Sequence, residues 1–354
     1  MSSAASHPRL MAVDVMRVLA IVAVIVIHAA PFTHGAPPER IGLTWNLATI
    51  ANQLARFAVP CFFVLSGFFW AERATTPEST RAVSMAMLRR LAILFVGWSV
   101  IYVLPFDTSR ILRNPPRGFV DALQFNLRWI SSHKALVLVQ GTETHLWFLV
   151  ALAMSVVISA LWLRWGRWQS LLVVGAILFT LAMLMRPYVK LPFGIPVRFN
   201  PRNGPAFGLL PFVIGIALSH RFRLPSATNW TRAGLAVFAV GLVLSWVELT
   251  WLRTSYGRTL GQDAVFSTML TGVGAALVAI GNPSWLQWSR LAAIGPLVLG
   301  IYAIHPIVID IVLPLLHKPR GMTADALTIP MVFLLSWAFA ALLSQWRFTR
   351  PLVR

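Results

Sequence analysis

Residues 14–28 read Asp14-Val-Met-Arg17-Val-Leu-Ala-Ile-Val-Ala-Val-Ile-Val-Ile-His28. Ten apolar residues in a row separate an arginine from a histidine, and the apolar run extends to about residue 33. A helix needs about 20 mostly apolar residues to cross the hydrocarbon core of a bilayer. Stretches of that kind lie near 15–33, 47–70, 88–106, 145–163, 169–186, 206–219, 233–252, 264–281, 292–313 and 328–346. The fold class expected is all-α: a polytopic integral membrane protein with about ten transmembrane helices. The sixth stretch is short, flanked by Pro205 and interrupted by Pro211. No gap has room for a soluble domain, so residues 1–354 are read as one transmembrane domain. Of the two longest connections, 107–144 and 187–205, the first is predicted to hold a short amphipathic helix around Phe119–Ile130.

Composition supports the same class. Hydrophobic residues make up 57% of the 354 and charged ones only 12%, about half the charge a soluble domain of this length carries. The formal net charge of +19 does not point to nucleic acid. The basic residues are scattered through short breaks between apolar runs, as membrane anchors and anionic-headgroup contacts are. The single cysteine, Cys61, excludes an internal disulfide and a cysteine-rich metal site. Arg9 and Arg17 precede an apolar run, but no clean A-x-A site follows, so the first helix is read as uncleaved.

Orientation follows from the short loops. With the N-terminus cytoplasmic, the inner segments hold Arg9, Arg73, Arg81, Arg89, Arg90, Arg164, Arg167, Arg221, Arg223, Arg232, Arg290, Arg347, Arg350 and Arg354. The short outer loops hold Arg40, Arg253, Arg258, Lys318 and Arg320. The two long outer connections are also basic and erase the difference in the raw count. The short loops carry the rule, and they place both termini inside.

An ionisable group at the centre of a membrane helix costs about 2.5–3.5 kcal/mol on insertion scales and tends to mark function. Asp14, Arg17 and His28 share the first span. At 100° per residue, eleven positions return His28 to within about 20° of the face of Arg17, about 16 Å further along the axis. Asp14 sits one turn before Arg17, where it can hold the guanidinium. The plainer account makes Asp14 and Arg17 interface anchors and His28 a helix-packing hydrogen bonder; co-alignment on one face weighs against it. Arg56 lies ahead of Pro60 in the second stretch and Ser66-Gly67 near its inner end. Arg89 and Arg90 open the third, His145 opens the fourth, and Tyr302 and His305 lie within the ninth. Glu248 and Asp310 fall towards outer ends. With no HExxH and no close histidine pair, no metal is expected.

These strings resemble the membrane-bound acyltransferase 3 family. Asp14-x-x-Arg17-x10-His28 is similar to its first-helix signature, and Val59-Pro60-Cys-Phe-Phe-Val-Leu-Ser66-Gly67-Phe to its second-helix segment. Met87-Leu-Arg89-Arg90-Leu-Ala-Ile-Leu, His145-Leu-Trp-Phe-Leu and Gly300-Ile-Tyr302-Ala-Ile-His305 resemble later markers in the same order. The resemblance runs from about Arg9 to Trp346. It implies ten membrane helices in a bacterial inner membrane. It also implies transfer of an acyl group, commonly acetyl, from cytoplasmic acyl-CoA to a hydroxyl of a membrane-linked or extracytoplasmic carbohydrate. Acetyl-CoA is thus expected as donor substrate, with no permanently bound cofactor, and glycan or glycolipid and membrane lipid as partners. Thr144-His145 stands where one branch carries an acidic segment, a departure shared with the branch that includes enterobacterial common antigen O-acetyltransferases. Glucan succinyltransferases also belong to the family, so the acyl group is inferred.

Acyl transfer from a thioester needs an activated hydroxyl, a stabilised oxyanion and an anchored donor. His28 is the candidate general base; a transient acyl-imidazole is the alternative. Arg17, steadied by Asp14, is expected to hold a donor phosphate or polarise the thioester carbonyl. Arg89, Arg90 and Ser66 are expected on the donor side; plain inner anchoring is the other account of the arginine pair. Arg56, His145, Tyr302 and His305 are expected on the acceptor side. The rival from another class is a proton-coupled transporter or flippase, which the lack of an internal repeat or of paired broken helices disfavours.

Overall fold

Prolines and caps decide where the apolar stretches become helices. The computed structural model describes residues 10–31, 43–222, 230–257, 264–281, 285–315 and 322–354. The principal helices are α1 (Met11–Ala29), α2 (Leu43–Ala55), α3 (Ala58–Arg73), α4 (Pro77–Ile101), α5 (Gly118–Ser132) and α6 (Trp147–Trp162). They continue with α7 (Trp168–Met185), α8 (Pro205–Phe222), α9 (Trp230–Tyr256), α10 (Thr268–Gly281), α11 (Val298–Leu315) and α12 (Met322–Leu343). No strand occurs among the described residues. Eight stretches are long and apolar enough to cross a membrane, and two shorter apolar helices, Pro205–His220 and Thr268–Gly281, stand in the sixth and eighth expected places. The chain is a polytopic helical membrane protein. Arg9, Arg40, Arg223, Arg258, Lys318 and Arg320, used above for orientation, lie outside the described residues.

Three boundaries differ from the sequence reading, each for a local reason. The first helix stops at Ala29 instead of running to 33. Ala30 adopts a left-handed conformation (φ 43°) whose N–H closes on the Val26 carbonyl, and Pro31 follows. The second stretch, expected as one helix, is broken at Arg56–Phe57 into α2 and α3. Pro60 has no N–H to give the Arg56 carbonyl, and its ring crowds that carbonyl. The third helix begins at Pro77 instead of 88, because Thr76 and Ser79 form a reciprocal capping box ahead of a proline in the first turn. The amphipathic helix in the long connection is present as α5.

Burial separates inner from outer helices. The spans at Met11–Ala29, Leu47–Arg73 and Ser289–Pro314 are each 61% buried, whereas those at Pro77–Ile101, Trp230–Tyr256 and Thr323–Leu343 are 22% buried. Helix α1 touches α2, α3, α10, α11 and α12, and its Ala12, Val15, Ala20, Ile21 and Ile25 have no accessible surface. The outer helices present Val96, Val100, Val243, Leu334 and Phe339 outward. In water such a surface would drive aggregation; in a bilayer it is the lipid contact.

Helices α3 and α8 approach until their backbones touch. A Cβ on Gly67 would lie 1.9 Å from the Phe212 carbonyl oxygen, and one on Gly215 would lie 2.1 Å from that of Val64. Small residues permit such approach where apolar surface alone gives helices no reason to associate in lipid. At the chain's end, Leu352 and Val353 wedge between α4 and α11 against Gly97 and Gly300, and the Trp98 indole donates to the Leu352 carbonyl at 2.8 Å.

Gly67→Val should therefore destabilise the bundle by at least about 1–3 kcal/mol. Gly204→Ala, where a Cβ meets nothing within 4 Å, should be close to neutral. Unfolding midpoints in detergent compare the two; equal midpoints would show that the α3–α8 contact is not limiting.

Candidate active site

Three histidines far apart in sequence meet inside the bundle. His28 lies in the last turn of α1. His145 sits in the 3-10 turn Thr144–Leu146 that leads into α6, and His305 lies within α11. The His28 ring centroid is 5.1 Å from that of His305 and 6.4 Å from that of His145, and the latter two are 5.5 Å apart. His145 and His305 are buried. His28 is exposed, with its ring on a partly open cleft of about 40 Å³. His145 and Tyr302 also line it, with Phe62, Trp147 and Phe148 as aromatic walls. A water needs about 10–15 Å³ of such space, so the cleft has room for two or three waters.

The buried groups are held from behind. His305 Nδ1 is 2.7 Å from the Tyr302 carbonyl oxygen. The Tyr302 hydroxyl donates to the His145 carbonyl, and the Tyr102 hydroxyl donates to the Ala303 carbonyl at 2.7 Å. His305 Nε2 and both His145 ring nitrogens are buried without a well-formed hydrogen bond. Among the described residues, no group of three or more His, Cys, Asp or Glu side chains is arranged to hold a metal ion.

The other predicted residues lie nearer the start of α1. Arg17 and Asp14 form an ion pair at 3.8 Å, with the arginine side chain 41% accessible and the aspartate 10%. The Asp14 carboxylate also packs on Gly295, where a Cβ would come within 2.6 Å of Oδ1. Arg90 is close enough to Arg17 for the two charges to interact. Arg89 points roughly 100° further round α4 and is exposed, and Ser66 on α3 is partly buried. Between Arg17 and His28 the same face of α1 carries Ile21 and Val24, both buried.

Arg56 and one residue the sequence reading passed over complete the surroundings of His28. The chain break before Pro60 positions Arg56, whose Nε donates to Asn52 Oδ1 at 2.9 Å. Arg202 lies in the turn Pro201–Asn203 with its guanidinium 4.8 Å from the centroid of the Trp147 ring. Both guanidiniums are near enough to His28 to act on its charge. The turn is anchored by Asn203 Nδ2 donating to Gln140 Oε1 at 2.8 Å. No local motif marks Arg202; the Asn200 cap on the Arg202 N–H is the one sign in the chain that this connection is structured.

Glu248 has a structural task. It accepts the Tyr188 hydroxyl at 2.7 Å, the Ser267 N–H at 3.0 Å and the Ser267 hydroxyl, tying α9 to the start of α10. Burial, and then the bond to Glu248, raise the Tyr188 phenol well above its usual range. Outside the spans, burial likewise raises the Glu143 carboxyl, next to His145 in the chain.

The bundle thus faces lipid on its outside and gathers imidazoles and aromatic rings around a small cleft among its helices. The chain belongs to the acyltransferase 3 family: residues 11–344 match that family's acyltransferase domain. It is thus a membrane acyltransferase. No curated protein and no solved structure matches it significantly.

Glu248→Ala leaves the Tyr188 hydroxyl and the Ser267 N–H without their acceptor, while the Ser267 hydroxyl keeps Ser245 Oγ at 3.0 Å, and should cost about 1–3 kcal/mol for each donor left buried and unpaired. Glu248→Gln, which keeps one acceptor oxygen, should lose less. Thermal unfolding measures both, and equal midpoints for wild type and Glu248→Ala would refute the clamp.

Proposed function

We propose that the protein transfers an acyl group, acetyl in the first instance, from acyl-CoA to a hydroxyl of a membrane-linked or extracytoplasmic carbohydrate. The reading places it in a bacterial inner membrane with both termini cytoplasmic. The observation that carries it is His28, exposed on a narrow cleft between the helices, on the helix that also carries the Asp14–Arg17 pair.

In this reading the acceptor hydroxyl gives its proton to a ring nitrogen of His28 while its oxygen attacks the thioester carbon. The tetrahedral adduct collapses, the carbon–sulfur bond breaks, and the CoA thiolate takes the proton back from the imidazolium. Arg17 and Arg90, two cations drawn together near the cytoplasmic side, suit the donor's phosphates, with Arg89 and Ser66 nearby on α4 and α3. Asp14 keeps Arg17 oriented. The pantetheine arm is long and thin, so a nucleotide held there can present its thioester about 16 Å further along α1. Reaching His28 requires Ile21 and Val24 to yield. Arg56, Arg202, His145, Tyr302 and His305 surround the far end, where the acceptor is received.

His28→Ala and Arg17→Ala should each lower acetylation of surface glycan by about a hundredfold or more at normal protein levels; intact acetylation in both would end the catalytic assignment. A double Arg89→Ala, Arg90→Ala variant should bind acyl-CoA at least about tenfold more weakly, as expected for lost charge-assisted bonds. Unchanged affinity would return those arginines to simple anchoring. Time-dependent release of free CoA with a glycan acceptor separates the enzyme from a transporter, which would show no turnover.

A further inference from the structure

His305 is followed by Pro306, and the consequence reaches the cavity. In a regular helix the N–H of residue 306 would bond to the carbonyl of residue 302. Proline has no N–H, so the Tyr302 carbonyl loses its helical partner. The His305 side chain takes that place, with Nδ1 2.7 Å from the Tyr302 oxygen. A carbonyl can only accept, so Nδ1 carries the proton and Nε2 is left with a bare lone pair. That lone pair is buried and has no partner, and the nearest reactive ring is His28, 5.1 Å away between centroids and inclined at 71°. A hydrogen bond of about 2.9 Å between ring nitrogens places two imidazole centroids at about this separation. A rotation of the His28 ring, which borders open space, therefore suffices to form it.

We infer that His305 is a positioning residue for His28: its Nε2 accepts the N–H of one His28 nitrogen, which leaves the other His28 nitrogen unprotonated towards the acceptor hydroxyl. Pro306 sets the arrangement by freeing the Tyr302 carbonyl. The order is Tyr302 carbonyl, His305 Nδ1–H, His305 Nε2, His28 N–H, and then the opposite His28 nitrogen, which takes the hydroxyl proton. No charge crosses to His305, whose two nitrogens keep their protonation throughout. The inference rests on the proposed role of His28 as base.

Nitrogen-15 NMR of the full-length protein labelled at histidine tests it without turnover. His305 should show Nδ1 protonated and Nε2 bare, and His28 should be held in a single tautomer. Pro306→Ala restores a backbone donor to Tyr302 and should mix the His305 tautomers. The same variant should lower kcat for acyl transfer about ten- to a hundredfold with the KM for acyl-CoA unchanged. His305→Gln, which keeps an acceptor at the Nε2 position, should retain more activity than His305→Asn, which keeps only the group near Tyr302. A His305 protonated at Nε2 overturns the inference, as does equal loss in the Gln and Asn variants. If the tautomers are as stated while His28→Ala remains active, the failure lies in the proposed base and not in the relay.

Discussion

In a bilayer a backbone carbonyl without a donor costs several kcal/mol, since no water is present to replace the missing bond. Two prolines interrupt the inner helices. Pro60 has no N–H for a helical bond and breaks the second span at Arg56–Phe57, and Pro306 releases the Tyr302 carbonyl inside α11. The first break sets Arg56 beside His28; the second is answered by His305. Features that would weaken an ordinary helix thus supply the directional polar groups that an apolar interior otherwise lacks.

The packing explains how such a centre is tolerated. Helix α1 packs against five other helices, and of its ionisable groups Asp14 is buried in protein. Asp14 balances Arg17 and lies against Gly295, where any side chain would displace it. Helices α3 and α8 pass closely at Gly67 and Gly215, and Phe62 on α3 meets Phe148 on α6 as the aromatic wall, 6.1 Å apart between centroids. Shape restricts the chamber, and hydrogen bonds from Tyr102 and Tyr302 fix its far wall.

Much of the fold was legible because membrane helices announce themselves locally. Apolar length alone located the spans, and the amphipathic pattern near Phe119 located α5. The boundary shifts at Thr76 and Pro60 were written in cap and proline chemistry, yet a search for apolar length overrides such signals: the polar first turns of α4 fell outside its window. For the site, one-helix geometry aligned Arg17 with His28, and His145, Tyr302 and His305 were found as polar groups in apolar surroundings. Their convergence around His28 was not legible, because it depends on how α1, α6 and α11 cross. Arg202 was missed for the same reason: a basic residue in a long connection looks like any other until Trp147 is found under it. Glu248 was placed only by its position towards an outer end, and its partners Tyr188 and Ser267 are distant in sequence.

The cleft beside His28 is narrow, with about 40 Å³ between Phe62, Trp147 and their neighbours. A guest that displaces those rings has the free energy of the rearrangement subtracted from its apparent affinity. Weak measured binding would then report the rarity of the open form and not poor complementarity. Helix motions that widen such a cleft run on a microsecond-to-millisecond scale, so substitutions in the aromatic wall alter binding without touching a polar group of the site.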